Sequence, residues 1–263
     1  MLVRRQSRVR GWIARSLLAT IGAIAAATLP LGSSSVVAAG SNQVSASTLL
    51  SDACTASFGA SALRFQGHIT SGGTPMSVDV YFGSAGELMT VAEHGGAETF
   101  RIIANGPSIY MEANGAFWLA NTNHNRAAAS LFAGRWIDVT SDKKDFGDVT
   151  KSLSKESILS QCRAGGSATY AGTAVVNGMK VIKIHHHTTS ESDTFYIEKG
   201  PTPYILKLTG SQSQKDSGDV LFGDYGVQPH IAAPAGAIPF SQLSGNSGNS
   251  GNSGNSGNSG NSG

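Results

Sequence analysis

The feature that most constrains this chain is a repeated two-residue alternation of apolar and polar side chains, broken at short intervals by glycine-rich turns. Leu63, Phe65 and Ile69 alternate with Arg64, Gln66 and His68. After Ser71-Gly72-Gly73 come Met76, Val78, Val80 and Phe82, interleaved with Ser77, Asp79 and Tyr81. Gly83-Ser84-Ala85-Gly86, Gly95-Gly96 and Asn105-Gly106-Pro107 then separate runs at 88–93, 98–104 and 108–112. Successive side chains of a strand point to opposite faces, so each run has one apolar face and one wet face. Short alternating runs joined by glycine turns predict an antiparallel meander.

The pattern returns after residue 168. Runs at 168–176 and 179–188 flank Asn177-Gly178, the strongest two-residue hairpin signal in the chain. Runs at 194–198, 204–208 and 220–225 follow. Helical spacing is confined to three places. Residues 46–57 place Leu49, Leu50, Ala53 and Cys54 on one face, residues 117–132 carry Trp118, Leu119, Leu131 and Phe132, and residues 152–162 carry Leu153, Ile158 and Leu159. Nine to eleven strands with two or three helices that do not alternate with them predict an α+β fold. A large antiparallel sheet curls rather than staying flat. The expected architecture is therefore one large curled sheet with a few helices laid on one side; its concave apolar face is either filled by core side chains, the plainer outcome, or left partly uncovered as an apolar cavity.

Both ends are set apart from this body. Residues 1–15 hold five arginines and no acid, residues 16–31 are small and apolar, and Val37-Ala38-Ala39 ends the stretch with small residues. That order reads as a secretory signal over 1–39, cleaved before Gly40. A retained anchor is the competing reading, but the apolar stretch is shorter than a spanning helix and rich in Ala and Gly. Arg4-Arg5 hints at the twin-arginine route, in surroundings that fit it poorly. Residues 244–263 repeat Ser-Gly-Asn and offer nothing apolar to bury, so a disordered tail is expected there, spanning roughly 25 Å as a flexible coil. The folded domain is expected over 40–243.

Removing the signal reverses the charge argument. The whole chain is +2, but without the five arginines of 1–39 there are 14 basic residues against 17 acidic ones, a net of −3. No basic stripe remains, and a nucleic-acid partner is not expected. Cys54 and Cys162 are the two cysteines of a chain read as exported, and one disulfide between them is the simplest expectation. Lipidation of Cys54 is the alternative, but an acid at Asp52 and the distance from the apolar stretch argue against it.

Three passages resemble the half-barrel lipoprotein-carrier superfamily, particularly the LppX/LprG-type actinobacterial lipoproteins and, more distantly, the LolA/LolB carriers. Phe65-Gln66-Gly67-His68-Ile69 running into 76–82 is similar to that family's opening hairpin. Ile109-Tyr110-Met111, Phe117-Trp118 and Ala133-Gly134-Arg135-Trp136-Ile137 resemble its strand, aromatic helix and following segment. Thr202-Pro203-Tyr204-Ile205-Leu206, then Phe222-Gly223-Asp224-Tyr225-Gly226 and Ala233-Pro234, resemble its last strands. The match covers about 48–236, and none of its motifs is catalytic. The resemblance implies an α+β half-barrel, a large curved antiparallel sheet wrapped around a few helices, with a hydrophobic cavity that holds acyl chains of lipids, glycolipids or lipidated proteins. The lipidated cysteine expected at the signal boundary is missing, which points to a secreted or envelope-associated relative rather than a lipid-anchored one.

No constellation for chemistry stands out. His185-His186-His187 places two imidazoles on one strand face, but no third ligand follows at a metal-site spacing. There is no Gly-x-Ser-x-Gly elbow, no phosphate-cradling loop opening a helix and no paired carboxylate spacing. Phe117, Trp118 and Trp136 fit a core better than a sugar-stacking platform. No enzyme activity, cofactor or metal is expected. The leading expectation is a non-enzymatic carrier or binding protein for a lipid or other amphiphile. Its cavity would be lined by Phe65, Val78, Val80, Phe100, Ile102, Ile109, Met111, Trp118, Phe195, Ile197, Leu206 and Leu208. Two other classes stay open: an exported structural or protein-interaction module with a filled core, and a hydrolase with an unrecognised site.

Overall fold

A computed structural model of the chain describes residues 44–240 apart from 72, 123, 143–154, 156–161, 163–164, 190–191 and 214–215. The segments read as a signal (1–39) and a repeat tail (244–263), and nearly all of the expected helix at 152–162, lie outside these described residues.

Helix α1 (Ala46–Gly59) opens the domain, capped by Ser45, whose hydroxyl accepts the Thr48 amide hydrogen bond at 3.0 Å. Five strands then run as a meander: β1 (Leu63–Ser71), β2 (Thr74–Gly83), β3 (Gly86–Glu93), β4 (Glu98–Asn105) and β5 (Ser108–Ala113). Two short helices follow, α2 (Gly115–Asn121) and α3 (Arg126–Phe132). Sequence spacing predicts one helix over 117–132, and the structure divides it. Asn125 caps a new helix by accepting from the Ala128 amide at 3.1 Å, as Asn114 caps α2 through Phe117 at 2.9 Å. Strand β6 (Ile137–Asp138) comes next, followed by the second meander of β7 (Ser167–Val176), β8 (Met179–His187), β9 (Ser192–Glu198), β10 (Ile205–Ser213) and β11 (Asp216–Gly223). Strand β12 (Ile238–Pro239) ends it. Asn177 (φ 49°) and Gly178 (φ 81°) both adopt left-handed backbone, as a two-residue hairpin turn requires.

All twelve strands among the described residues belong to one sheet, ordered β12-β6-β5-β4-β3-β2-β1-β11-β10-β9-β8-β7. Every pairing is antiparallel except β12 with β6. The sheet is open: β12 and β7 are its two ends, and they do not pair with each other. The two meanders meet where β1 lies against β11, so the middle of the sheet joins residues about 150 positions apart in sequence, such as Gly67 and Val220. This is the α+β fold that the alternation predicts, in the open half-barrel form that the resemblance implies, and not a two-sheet sandwich.

One face of the sheet carries the core. Met76, Val78, Val80 and Phe82 of β2, Met89 and Val91 of β3, and Phe100 and Ile102 of β4 are all buried in one cluster with residues of α1 and α2. Helix α1 lies against β7, β9 and β10, and its Phe58 ring meets Phe222 of β11 edge-on at 6.2 Å. Ser57, fully buried on α1, accepts the Ile205 amide hydrogen bond at 2.8 Å and so fastens the helix to β10. At the other end α2 sets Phe117 against Phe100 of β4, ring centroids 5.3 Å apart. The opposite face is mostly polar, with Arg64 held in a two-pronged ion pair to Asp79 at 2.8 Å for each hydrogen bond and lying over the Tyr81 ring.

Candidate functional site

The inner face of the sheet brings together most of the residues proposed for ligand contact. Phe65, Val78, Val80, Phe100, Ile102, Ile109, Met111, Trp118, Phe195 and Ile197 are buried in a single apolar cluster, and Leu208 packs against it. Leu206 does not join them. It belongs to a second cluster with Val176 and Val181, flanked by Tyr196, Tyr204 and Tyr225 on the outer side. The cause is a register shift between Ile205 and Lys207. Ile205 and Leu208 both face inward, and the bulge turns the two residues between them outward. Alternation read without that bulge puts Leu206 on the wrong face.

The inner face is also anchored by aromatic contacts. Phe65 meets Phe82 at 5.9 Å and Phe222 at 6.0 Å, while Trp118 packs between Phe117 (5.4 Å) and Phe132 (5.0 Å). The Trp118 indole nitrogen is buried there without a protein acceptor. A buried N–H left unpaired costs about 1–3 kcal/mol, and it is the one polar side-chain donor of this kind among the described residues.

A disulfide joins Cys54 of α1 to Cys162, as the sequence predicts. On β8, His186 is buried beside Phe195 with ring centroids 6.1 Å apart, whereas His185 and His187 are exposed. His185 shares a 2.9 Å hydrogen bond with Thr194. No described helix is long and apolar enough to cross a membrane.

The sheet register shows one cluster that sequence spacing does not single out. Glu93 ends β3 directly opposite Glu98 at the start of β4, on the inner-facing side and at the rim of the concave surface. Glu93 is only 2% exposed, and its Oε2 has no protein partner. Burial, then repulsion from Glu98, pushes its carboxyl pKa up to about 7, with His94 opposing the rise. In the folded chain the proton is therefore held to about pH 7, whereas the unfolded chain releases it near 4.5. Stability from this group is fully present below the unfolded value and is lost as pH rises through 7, an effect of about 3 kcal/mol. In chelator-treated protein, Glu93→Gln is expected to raise stability at pH 8 and flatten its decline between pH 4.5 and 7, as read by urea unfolding. Parallel pH profiles for the two proteins would contradict a buried carboxyl at this position.

No family model matches the sequence, and no curated protein does. Solved structures do match the fold. LprF from Mycobacterium bovis aligns over 73% of this chain and 97% of its own, with a TM-score of 0.52 at 10% identity. The chain has the half-barrel fold of LprF. The Mycobacterium tuberculosis lipoprotein LppX aligns over 70% of this chain and 98% of its own at 12% identity, with a TM-score of 0.45. At 10% identity the likeness to LprF shows the fold alone. The side chains must be read from this chain alone.

Proposed function

We propose that this half-barrel is an exported, non-enzymatic carrier or binding protein for a lipid or other amphiphile, held between the concave face and the helices. The observation that carries the reading is the continuity of the inner face. From Ile109 on β5 to Ile184 on β8, nine adjacent strands contribute apolar side chains to one cluster, and that cluster is uninterrupted across the β1–β11 join. An acyl chain needs a long apolar surface and no reactive group, and this face supplies that surface. The buried Trp118 N–H supports the same reading, since it offers a hydrogen bond to a polar atom of an otherwise apolar guest. Export rests on the basic, apolar, small-residue order of 1–39.

A filled core is the second reading, and a specific observation favours it: Val78, Val80, Met89 and Val91 are each no more than 5% exposed, packed among the protein's own side chains. In that case the molecule works through its surface, as a structural or protein-interaction module. Native mass spectrometry and solvent extraction of the purified protein separate the two. The carrier reading predicts a co-purifying acyl-bearing species and saturable binding of a fluorescent fatty acid. On the carrier reading, Met111→Trp is expected to weaken that binding at least about tenfold, because the larger ring takes room the ligand would occupy beneath β5. Protein free of extractable lipid that also ignores the probe would leave the filled core as the answer.

A further inference from the structure

We propose that Glu93, His94 and Glu98 form a binding site for a divalent transition-metal ion of the zinc class at the rim of the concave face. One donor atom from each residue lies within 4.8 Å of the other two, and His94 Nδ1 stands 3.3 Å from Glu98 Oε1. Two ligands on a tetrahedral zinc ion, each about 2.0–2.1 Å from the metal, are about 3.3 Å apart. The backbone is shaped for this convergence. His94 (φ 49°), Gly95 (φ 68°) and Gly96 (φ 93°) are three consecutive residues at positive φ, a region that histidine enters more readily than most side chains. They fold the imidazole back towards the two carboxylates of the flanking strands.

The carboxylates give the independent reason to expect a cation. Glu93 and Glu98 face each other directly across the β3–β4 ladder, where like charges repel. Glu93 is buried, and one of its oxygens has no hydrogen-bond donor in the protein. A buried acceptor without a partner is costly, and a metal ion placed among the three donors would satisfy it. The donor set selects the class of ion. An imidazole nitrogen with two carboxylate oxygens suits zinc and its neighbours, whereas calcium and magnesium prefer all-oxygen shells. His94 is half exposed, so water has access to a fourth position. This site does not depend on the lipid-carrier reading: it stands on the β3–β4 turn, whatever occupies the concave face.

The test is calorimetric titration of Zn²⁺ into the purified, chelator-stripped chain at neutral pH. One saturable site per chain is expected. His94→Asn keeps a residue that tolerates left-handed backbone and removes the imidazole; Glu98→Gln removes one charge at a part-buried position. Each is expected to weaken Zn²⁺ binding by about tenfold or more while circular dichroism stays unchanged. His185→Ala, on the distant β8 strand, is expected to leave binding as it was. No saturable uptake, uptake retained by His94→Asn but lost in His185→Ala, or displacement of Zn²⁺ by excess Mg²⁺ would each overturn the assignment. In the first of these cases the 3.3 Å His94–Glu98 contact beside the buried Glu93 carboxyl is structural only.

Discussion

Removing the Cys54–Cys162 disulfide is expected to lower stability by about 4–5 kcal/mol, which for a domain of this size is on the order of 10–15 °C in melting temperature. The bond spans 108 residues, and the chain between its ends includes β1 to β6 with α2 and α3. Closing so long a loop restricts the unfolded chain severely, and that restriction is the larger part of the effect. The folded side adds to it. Cys54 is completely buried on α1, next to Ala53 and one turn from Leu50, so the bond holds a core-facing helix position. The double variant Cys54→Ala/Cys162→Ala is the cleaner test than serine, which would bury two hydroxyls. Thermal unfolding of this variant and of reduced wild type should fall together. Unreduced protein should expose no reactive thiol. A variant as stable as the parent would mean that the crosslink contributes nothing to holding α1 in place.

The sequence makes the sheet legible because period-two alternation is a local property and survives without knowledge of partners. Strands β2 and β3 alternate buried and half-buried residues as their spacing predicts, and Asn177-Gly178 marks its hairpin by dipeptide alone. What the sequence hides is non-local. Strands β6 and β12 have two residues each, too few to show any period, and exist because β6 finds β5 on one side and β12 on the other. Leu206 reads as inward-facing until the pairing of β10 with β9 reveals the extra residue. The Glu93–His94–Glu98 cluster is hidden for the same reason: the spacing of a hairpin says that two acids are near, but burial of one of them depends on the whole curved face. The inward-facing apolar residues were within reach of alternation, whereas the rim cluster required the register.

The β1–β11 join is where that non-local information is concentrated, and Gly67 is its most exacting position. Gly67 pairs with Val220 on β11 and with Val78 on β2. A Cβ at this position would lie 2.1 Å from the Asp219 carbonyl oxygen and 2.7 Å from the Val220 Cα. Both are backbone atoms, so no side-chain rotation relieves the overlap, and the strands themselves must separate. Gly67→Ala is therefore expected to destabilise the domain by about 3 kcal/mol or more, at the upper end of what overpacking costs. Amide exchange should rise first along β1 and β11, because those are the hydrogen bonds the separation lengthens. Gly59→Ala supplies the comparison. It sits at the end of α1 with nothing within 4 Å of the added carbon, and the substitution there should be neutral or slightly stabilising. Urea unfolding of the two variants thus measures how closely the two meanders approach. If Gly67→Ala unfolds at the same midpoint as Gly59→Ala, β1 and β11 cannot be packed this tightly, and the continuity of the concave face across the join, on which the carrier reading depends, goes with it.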